Sequence, residues 1–295
     1  MMLRNYLIIF FLMMAYLSFS QITGDSDMDD EGGLEAGLNV GVYFGNSNTA
    51  NFYNGAGNED GMNSADKVIH NIHYREMINE VLEQNGYRYL LEEGMYHAEY
   101  PTNMTYLPAI YAGLTGRYWL NSKIGFSVSM NYSKLVSNDN FVIYNDVEMP
   151  PSNKEDQYIL SKIAGQEDRI NIDIGIINSF PLSNKMNFIL EAGFNLNNTV
   201  VQMNKIEIYG LVLDITYKGP YDYIPGANTP QYNFRQGGIG YGGYATPGLQ
   251  FNFNQSVSVD LVSQFYYTYI SLEHYSKWGF QWAPYIRFNF TRLFM

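Results

Sequence analysis

The stretch Leu34-Glu35-Ala36-Gly37-Leu38-Asn39-Val40-Gly41-Val42-Tyr43-Phe44 alternates without a break. Leu34, Ala36, Leu38, Val40, Val42 and Phe44 make one wholly apolar side. Glu35, Gly37, Asn39, Gly41 and Tyr43 make the other, which is small or polar. Successive side chains of a strand point to opposite faces, so this period of two reads as a strand. An apolar face toward lipid or core and a small, polar face toward a crowded interior is the pattern of a barrel wall.

The alternation returns along the chain. Ile110, Ala112, Leu114, Tyr118 and Leu120 form the apolar set of a second strand, and Ile124, Phe126, Val128, Met130 and Tyr132 that of a third. Ile170, Ile172, Ile174 and Ile176 mark a fourth, and Phe188, Leu190, Ala192, Phe194 and Leu196 a fifth. Tyr241, Ala245, Leu249, Phe251 and Phe253 mark the sixth; Val257, Val259, Leu261, Phe265, Tyr267 and Tyr269 the seventh. The eighth runs through Trp282, Ile286, Phe288, Phe290 and Phe294.

The connections sort into two kinds. Asn121-Ser122-Lys123, Ser183-Asn184-Lys185 and Asn254-Gln255-Ser256 are tight, and they alternate with long stretches at 46–105, 137–168, 201–238 and 271–279. Eight antiparallel strands with both ends on one side need three turns there and four loops opposite. Short periplasmic turns and longer outer loops are the pattern of transmembrane barrels. Laid out from the tight turns, Tyr106, Tyr132, Tyr241, Tyr267, Tyr269 and Trp282 fall near the loop ends, and Tyr118, Phe253 and Phe294 near the turn ends. Two aromatic levels one bilayer apart are what interfacial anchoring produces. The expectation is therefore an all-β, eight-stranded antiparallel transmembrane β-barrel over 34–295, with long extracellular loops.

Composition agrees. Charged residues make up 16% of the chain and Tyr occurs 27 times, whereas a soluble domain carries about 25% charge. Outside the front of the chain, no stretch offers the roughly 20 apolar residues of a transmembrane helix. The run Leu7 to Phe19 follows Arg4 and ends near Ser18 and Ser20, a basic start, apolar core and small-residue exit that read as a signal peptide over 1–20. Its removal takes the formal net charge from −12 to −13. That acidity argues against nucleic acid as a partner, because phosphate binding needs clustered Lys and Arg. The absence of cysteine excludes disulfides, thiolate catalysis, zinc–thiolate sites and lipidation of an N-terminal cysteine. Residues 21–33 read as an acidic linker; Asp25, Asp27 and Asp29 begin like a calcium loop, but its glycine and terminal Glu are missing.

The leader, the alternating strands, the Asn/Ser turns and the final Tyr285-Ile-Arg-Phe-Asn-Phe-Thr-Arg-Leu-Phe-Met295 resemble small outer-membrane β-barrel proteins of the OmpA-like or porin-like kind, particularly those of Bacteroidota. The last strand is similar to the C-terminal signal read by barrel-assembly machinery, with Phe294 penultimate rather than final. The resemblance implies a cell outer membrane location and outer-membrane lipid as surroundings. Asn51-Phe-Tyr-Asn-Gly55 and Tyr100-Pro-Thr-Asn-Met-Thr-Tyr106 stand out as signature-like segments without an assigned activity.

Inward parity assigns Glu35, Arg117, Asp173, Glu191, Asp260 and Arg287 to a charge network in the lumen. Charges removed from water persist only when paired, so these residues brace a lumen narrow enough for side chains to fill. The other reading of the same charges is a gated polar path. The first loop, treated as an extracellular insertion over 46–105, holds one helix, about Ala65 to Gln84, with Asn63 or Ser64 at its start and Asn85-Gly86 at its stop. Its apolar residues, including Ile69, Ile72, Tyr74, Ile78, Val81 and Leu82, spread around much of the circumference, so it must be covered by other loops or by a partner. His70 and His73 on this helix and His97 later in the loop lack a metalloprotease signature, and no metal or cofactor is expected. His274, near Glu273, Ser271 and Ser276, is the seat a rim enzyme would use, but sequence neighbours in a loop rarely form a nucleophile–base pair, and no catalytic residues are expected.

Three functions remain open at this level. The favoured one is a barrel that docks through its loops to a larger outer-membrane protein complex, since loops longer than about 15 residues are usually functional or disordered. A small-solute pore or transporter is the second, and a lipid-modifying rim enzyme the third.

Overall fold

The computed structural model describes residues 33–57, 63–150, 156–215, 236–254 and 256–291. The expected signal peptide, nearly all of the acidic linker and Phe294 lie outside the described residues. The strands are β1 (Leu34–Tyr43), β2 (Tyr96–Glu99), β3 (Ala109–Trp119), β4 (Ile124–Asn145), β5 (Tyr158–Ser183), β6 (Met186–Ile208), β7 (Leu211–Asp214), β8 (Ile239–Asn252), β9 (Val257–Ile270) and β10 (Lys277–Thr291).

All pairings are antiparallel and they close on themselves. The order β1–β3–β4–β5–β6–β8–β9–β10 returns to β1 through Leu38 opposite Phe288, while β2 adds to β4 and β7 to β6. The described strands are thus two more than the sequence suggests, and both extra ones lie beside the ring rather than in it. The tight turns are built as their sequences indicate. Asn121 Oδ1 accepts from the backbone N–H of Lys123 and Ile124, both at 2.9 Å, and Asn254 Oδ1 accepts from Ser256 and Val257, both at 2.8 Å. Such Asx turns satisfy the backbone where the ladder must reverse.

The polarity of the ring is that of a soluble protein turned inside out. Leu38, Val40, Phe126, Ile174, Phe194, Leu261 and Ile286 are among the exposed outer side chains, while Asn39, Thr115, Ser129, Asn131, Asn195 and Asp260 are buried inside. On β4 and β5 this pattern reverses part-way along. Beyond Ser133 and its partner Arg169, the inner positions become Leu135, Phe141 and Ile143 on β4 and Ile163 and Ile159 on β5, all buried. The outer positions there become mixed: Lys134, Asn138 and Asn140 on β4 and Asp168, Gln166 and Lys162 on β5 are polar, and Val136, Val142, Tyr158 and Leu160 stand among them. Tyr132 and Gln202 both donate to Asp168, at 2.8 Å each, where the apolar belt ends.

This reversal corrects the expected loops. The stretches 137–168 and 201–238 are in good part strand, since β4 runs to Asn145, β5 starts at Tyr158 and β6 continues to Ile208. Burial keeps its period of two, but the buried apolar side chains are now on the inner side and the outer side is mixed, so a search for one continuous apolar face stops too early. At about 3.4 Å per residue, the 26 residues of β5 far exceed the roughly 10 needed to cross an apolar band about 25 Å tall. The β4–β5–β6 wall therefore projects well above the belt.

The first loop packs over this projection. It contains α1 (Ser47–Ala50), α2 (Ala65–Ile69) and α3 (Ile72–Gln84), so the single helix expected over 65–84 is two. The break has a local cause: Asn71 is extended, and its side chain accepts from His73 N–H at 3.0 Å, capping a new helix. The stop at Asn85-Gly86 stands where the sequence puts it, with Gly86 at φ +89°, a conformation that favours glycine.

Candidate functional site: the filled interior and its cap

The lower interior is a lattice of ions. Arg117 holds Glu35 and Asp260 at 2.8 Å each and lies 3.7 Å from Glu191. Arg287 pairs with Glu191 at 3.1 Å, lies 3.8 Å from Asp260 and donates through Nε to Asn39 at 3.0 Å. Tyr244 donates to Glu191 and Asn289 to Asp260, filling further lone pairs. Five of the six residues assigned inward by parity therefore share one network. Each carboxylate there meets a guanidinium, as buried charge requires.

Asp173 stands apart from that lattice. It accepts from Asn195 at 2.7 Å, Gln264 at 2.9 Å, Tyr266 at 3.1 Å and Asn131 at 3.3 Å, so neutral donors hold it. Parity identifies an inward residue but not its partner, which depends on the closure of the ring. Tyr266 and Tyr111 share a 2.9 Å hydrogen bond, and Tyr111 packs on Tyr285 and Tyr43, so aromatic rings fill the middle of the interior.

A second ion pair closes the top. Arg169 bonds Glu167 and Gln281, and its guanidinium lies 5.9 Å from the ring centres of both Tyr43 and Tyr106. Tyr53 and Tyr106 donate to Glu167 at 2.8 and 3.0 Å. Sequence reasoning misses Glu167 and Arg169, because it places the stretch up to Asp168 in a loop and starts the strand's apolar set only at Ile170. Their parity with Asp173 was the available signal.

Tyr106 also requires a correction. Expected in the outward aromatic level, it is 9% exposed and points inward to Glu167. It precedes β3 rather than lying on it, so the alternation of that strand does not fix its side. The other described members of the two levels differ in exposure. Tyr118, Tyr241, Phe253, Tyr267 and Trp282 are exposed on the outer face, whereas Tyr132 and Tyr269 are partly covered. Trp278 joins the loop-side level, stacking against Tyr267 at 5.4 Å.

The two signature-like segments meet here. Asn51 Oδ1 accepts from Met104 N–H at 2.8 Å, which brings Tyr53 and Tyr106 to the same carboxylate. Gly55, at φ +81°, has Ile163 so close that a Cβ would approach its Cδ1 to 2.6 Å. The cap is thus fastened to the projecting wall by shape as well as by hydrogen bonds. Burial raises the Tyr53 phenol well above its ordinary value, and the Glu167 charge adds to that. Tyr100 is raised in the same way, by burial and by its hydrogen bond to Asp66.

The helix proposed from sequence as a partner-binding face is mostly used within the chain. Ile69, Ile78 and Leu82 are fully buried in the cap, and Tyr74 and Val81 are partly covered. Only Ile72, 54% exposed, and the neighbouring Met77, 44% exposed, present large apolar surface. Coverage by its own loops is the reason, and it is the other outcome an apolar helix allows. His70 stacks on Tyr96, and His97 lies 2.9 Å from Asp146. Among the described residues no group of three or more His, Asp or Glu side chains could hold a metal ion. In the last loop, the Ser276 hydroxyl donates to the Leu272 carbonyl at 2.9 Å, and His274 has φ +53°.

No protein-family model matches the chain, and no curated protein matches it. Among solved structures it is similar to Neisserial surface protein A (NspA), at 9% identity over 89% of this chain and 99% of that one, with a TM-score of 0.43. It is also similar to the outer membrane protein OprG from Pseudomonas aeruginosa, at 8% identity over 90% and 99%, with a TM-score of 0.35. A third is the attachment invasion locus protein Ail of Yersinia pestis, at 10% identity over 90% and 99%, with a TM-score of 0.32.

Proposed function

We propose that the chain is an outer-membrane β-barrel of eight strands with a sealed lumen, anchoring a folded extracellular platform that docks to a larger outer-membrane assembly. The observation that carries this reading is the reversal of polarity along β4 and β5. Apolar-out and polar-in suits a wall in lipid; polar-out and apolar-in suits the same wall in water. Strands reach the membrane without helices because a closed ring leaves no unpaired edge. The buried ion lattice below and the Arg169–Glu167 pair above fill the lumen at two levels, which speaks for a plug rather than a pore.

Docking is the role left for the projection. Tyr158, Leu160 and Val212 are at least half exposed above the belt, and exposed apolar side chains on an ordered surface mark contact sites. The test is an affinity pull-down from native outer membrane in mild detergent, followed by mass spectrometry. A large barrel complex recovered with wild type and lost on Leu160→Asp is expected. Reproducible recovery of this barrel alone contradicts docking, and steady solute flux through liposomes containing it contradicts the sealed lumen.

A further inference from the structure

We infer that Tyr87 and Tyr209 are a covalent modification site, at which one-electron oxidation joins the two rings as a dityrosine and staples the cap to the end of the projecting wall. The site goes beyond the docking reading above and does not depend on it. Tyr87 follows the Asn85-Gly86 stop of α3, and Tyr209 opens the turn between β6 and β7, 122 residues further along. Their phenol oxygens lie 2.5 Å apart, and their rings meet edge to face with centroids at 5.5 Å. Tyr209 is 44% exposed and Tyr87 is partly covered, so an oxidant in solution reaches the pair.

Both rings are held in place by their surroundings. Ile208 pairs with Leu211, leaving a two-residue turn with Tyr209 at φ +47° and Gly210 at φ +87°. Turns of this kind need a positive φ at both positions and favour Asn or Asp before Gly. A tyrosine enters that region against the crowding of its Cβ, and here its ring rests on Tyr87. On the other side, the Tyr87 hydroxyl reaches the Tyr158 carbonyl at 3.4 Å, and Arg88 N–H donates to Asp156 at 2.9 Å. Tyr111 and Tyr266 also touch through their hydroxyls, but they are fully buried. Tyr144 and Tyr158 are neighbours on strands already paired, so a bond between them would connect nothing new. With no cysteine in the chain, a disulfide cannot supply such a staple.

The step balances with hydrogen peroxide and an oxidant of the peroxidase class. Each phenol gives up one hydrogen atom and becomes a phenoxyl radical, while the peroxide is reduced to two waters. The odd electron spreads to the ring carbons beside the oxygen, and the carbon opposite the oxygen is blocked by Cβ. A carbon–carbon bond forms between one such carbon of each ring, and the hydrogens there return to the oxygens. Touching hydroxyls bring those carbons together, so the coupling is pre-positioned by the fold.

The full chain in lipid nanodiscs is treated with a haem peroxidase and hydrogen peroxide, digested, and read by mass spectrometry. A peptide containing Tyr87 joined to one containing Tyr209, lighter than their sum by two hydrogen atoms, is expected. Tyr87→Phe and Tyr209→Phe should each lose it while keeping the ring and the fold, the latter checked by heat-modifiable migration on gels. Tyr144→Phe should retain it. No joined peptide from the folded wild type overturns the site. Equal yield from chain unfolded in urea also overturns it, because the fold is what brings the rings together. A linkage found only between two copies, seen as a covalent dimer, does the same.

Discussion

At the scale of the residue, the decisive groups are buried ions that answer to more than one partner. Glu191 lies within reach of both Arg117 and Arg287 and also accepts from Tyr244. Glu191→Ala would leave two guanidinium groups short of a counter-charge, costing about 3–5 kcal/mol by the usual penalty for breaking a buried pair. Denaturant unfolding in lipid vesicles would measure that loss, and bilayer recordings should show no steady conductance, because the remaining side chains still fill the space. Tyr53→Phe removes one hydrogen bond to the Glu167 carboxylate, worth about 1.5–3 kcal/mol. Limited proteolysis should then cut the first loop faster while the wall stays intact. The raised Tyr53 and Tyr100 phenols make a pH prediction. Both hold their protons more tightly folded than unfolded, so the cap keeps its full stability below an ordinary phenol pKa of about 10. It loses that stability as pH rises through the folded values. Protease sensitivity of the cap should therefore increase above that pH, and Tyr100→Phe should reduce the increase.

At the scale of the element, β4 and β5 explain both what the sequence reveals and what it hides. Ile124 to Tyr132 and Ile170 to Ile176 are legible because one face is continuously apolar. Their continuations through Phe141 and Ile163 alternate in burial but not in polarity, with buried apolar side chains now on the inner side, so a reading for one apolar face turns them into loop. The inward ions from Glu35 to Arg287 are legible by parity, and Arg169 and Glu167 share the parity of Asp173 but sit at the crossover, where the apolar face that marks the strand gives out. Tyr106 lies off the strand, so parity places it wrongly. The α2–α3 break depends on Asn71, a single side chain whose capping choice no periodicity reveals. Asn71→Ala should cost about 1 kcal/mol of cap stability, seen as faster amide exchange in the first turn of α3. On β9 a different irregularity appears. Pairing with β8 passes from Ala245–Phe265 to Gly248–Val262 around Pro247, and Pro284 faces Ser263 on the other side. Proline donates no ladder hydrogen bond. Amides from Val262 to Gln264 should exchange faster than the rest of that strand.

At the scale of the whole molecule, the proposed function has one closed wall serve two solvents, with a plug between its ends and a cap on the part that leaves the lipid. The account stands on where that wall passes from lipid to water, which the exposed Ile174 and the outward Lys162, both on β5, bracket. The chain has no cysteine, so single cysteines placed along β5 give a probe without background. The most direct measurement is labelling of Ile172→Cys, Ile174→Cys, Gln166→Cys and Lys162→Cys by a membrane-impermeant maleimide in intact proteoliposomes. The account predicts rapid labelling at 162 and 166 and protection at 172 and 174, relieved only when a permeant maleimide is used in detergent. Labelling at 174 as fast as at 162 in intact vesicles would contradict it.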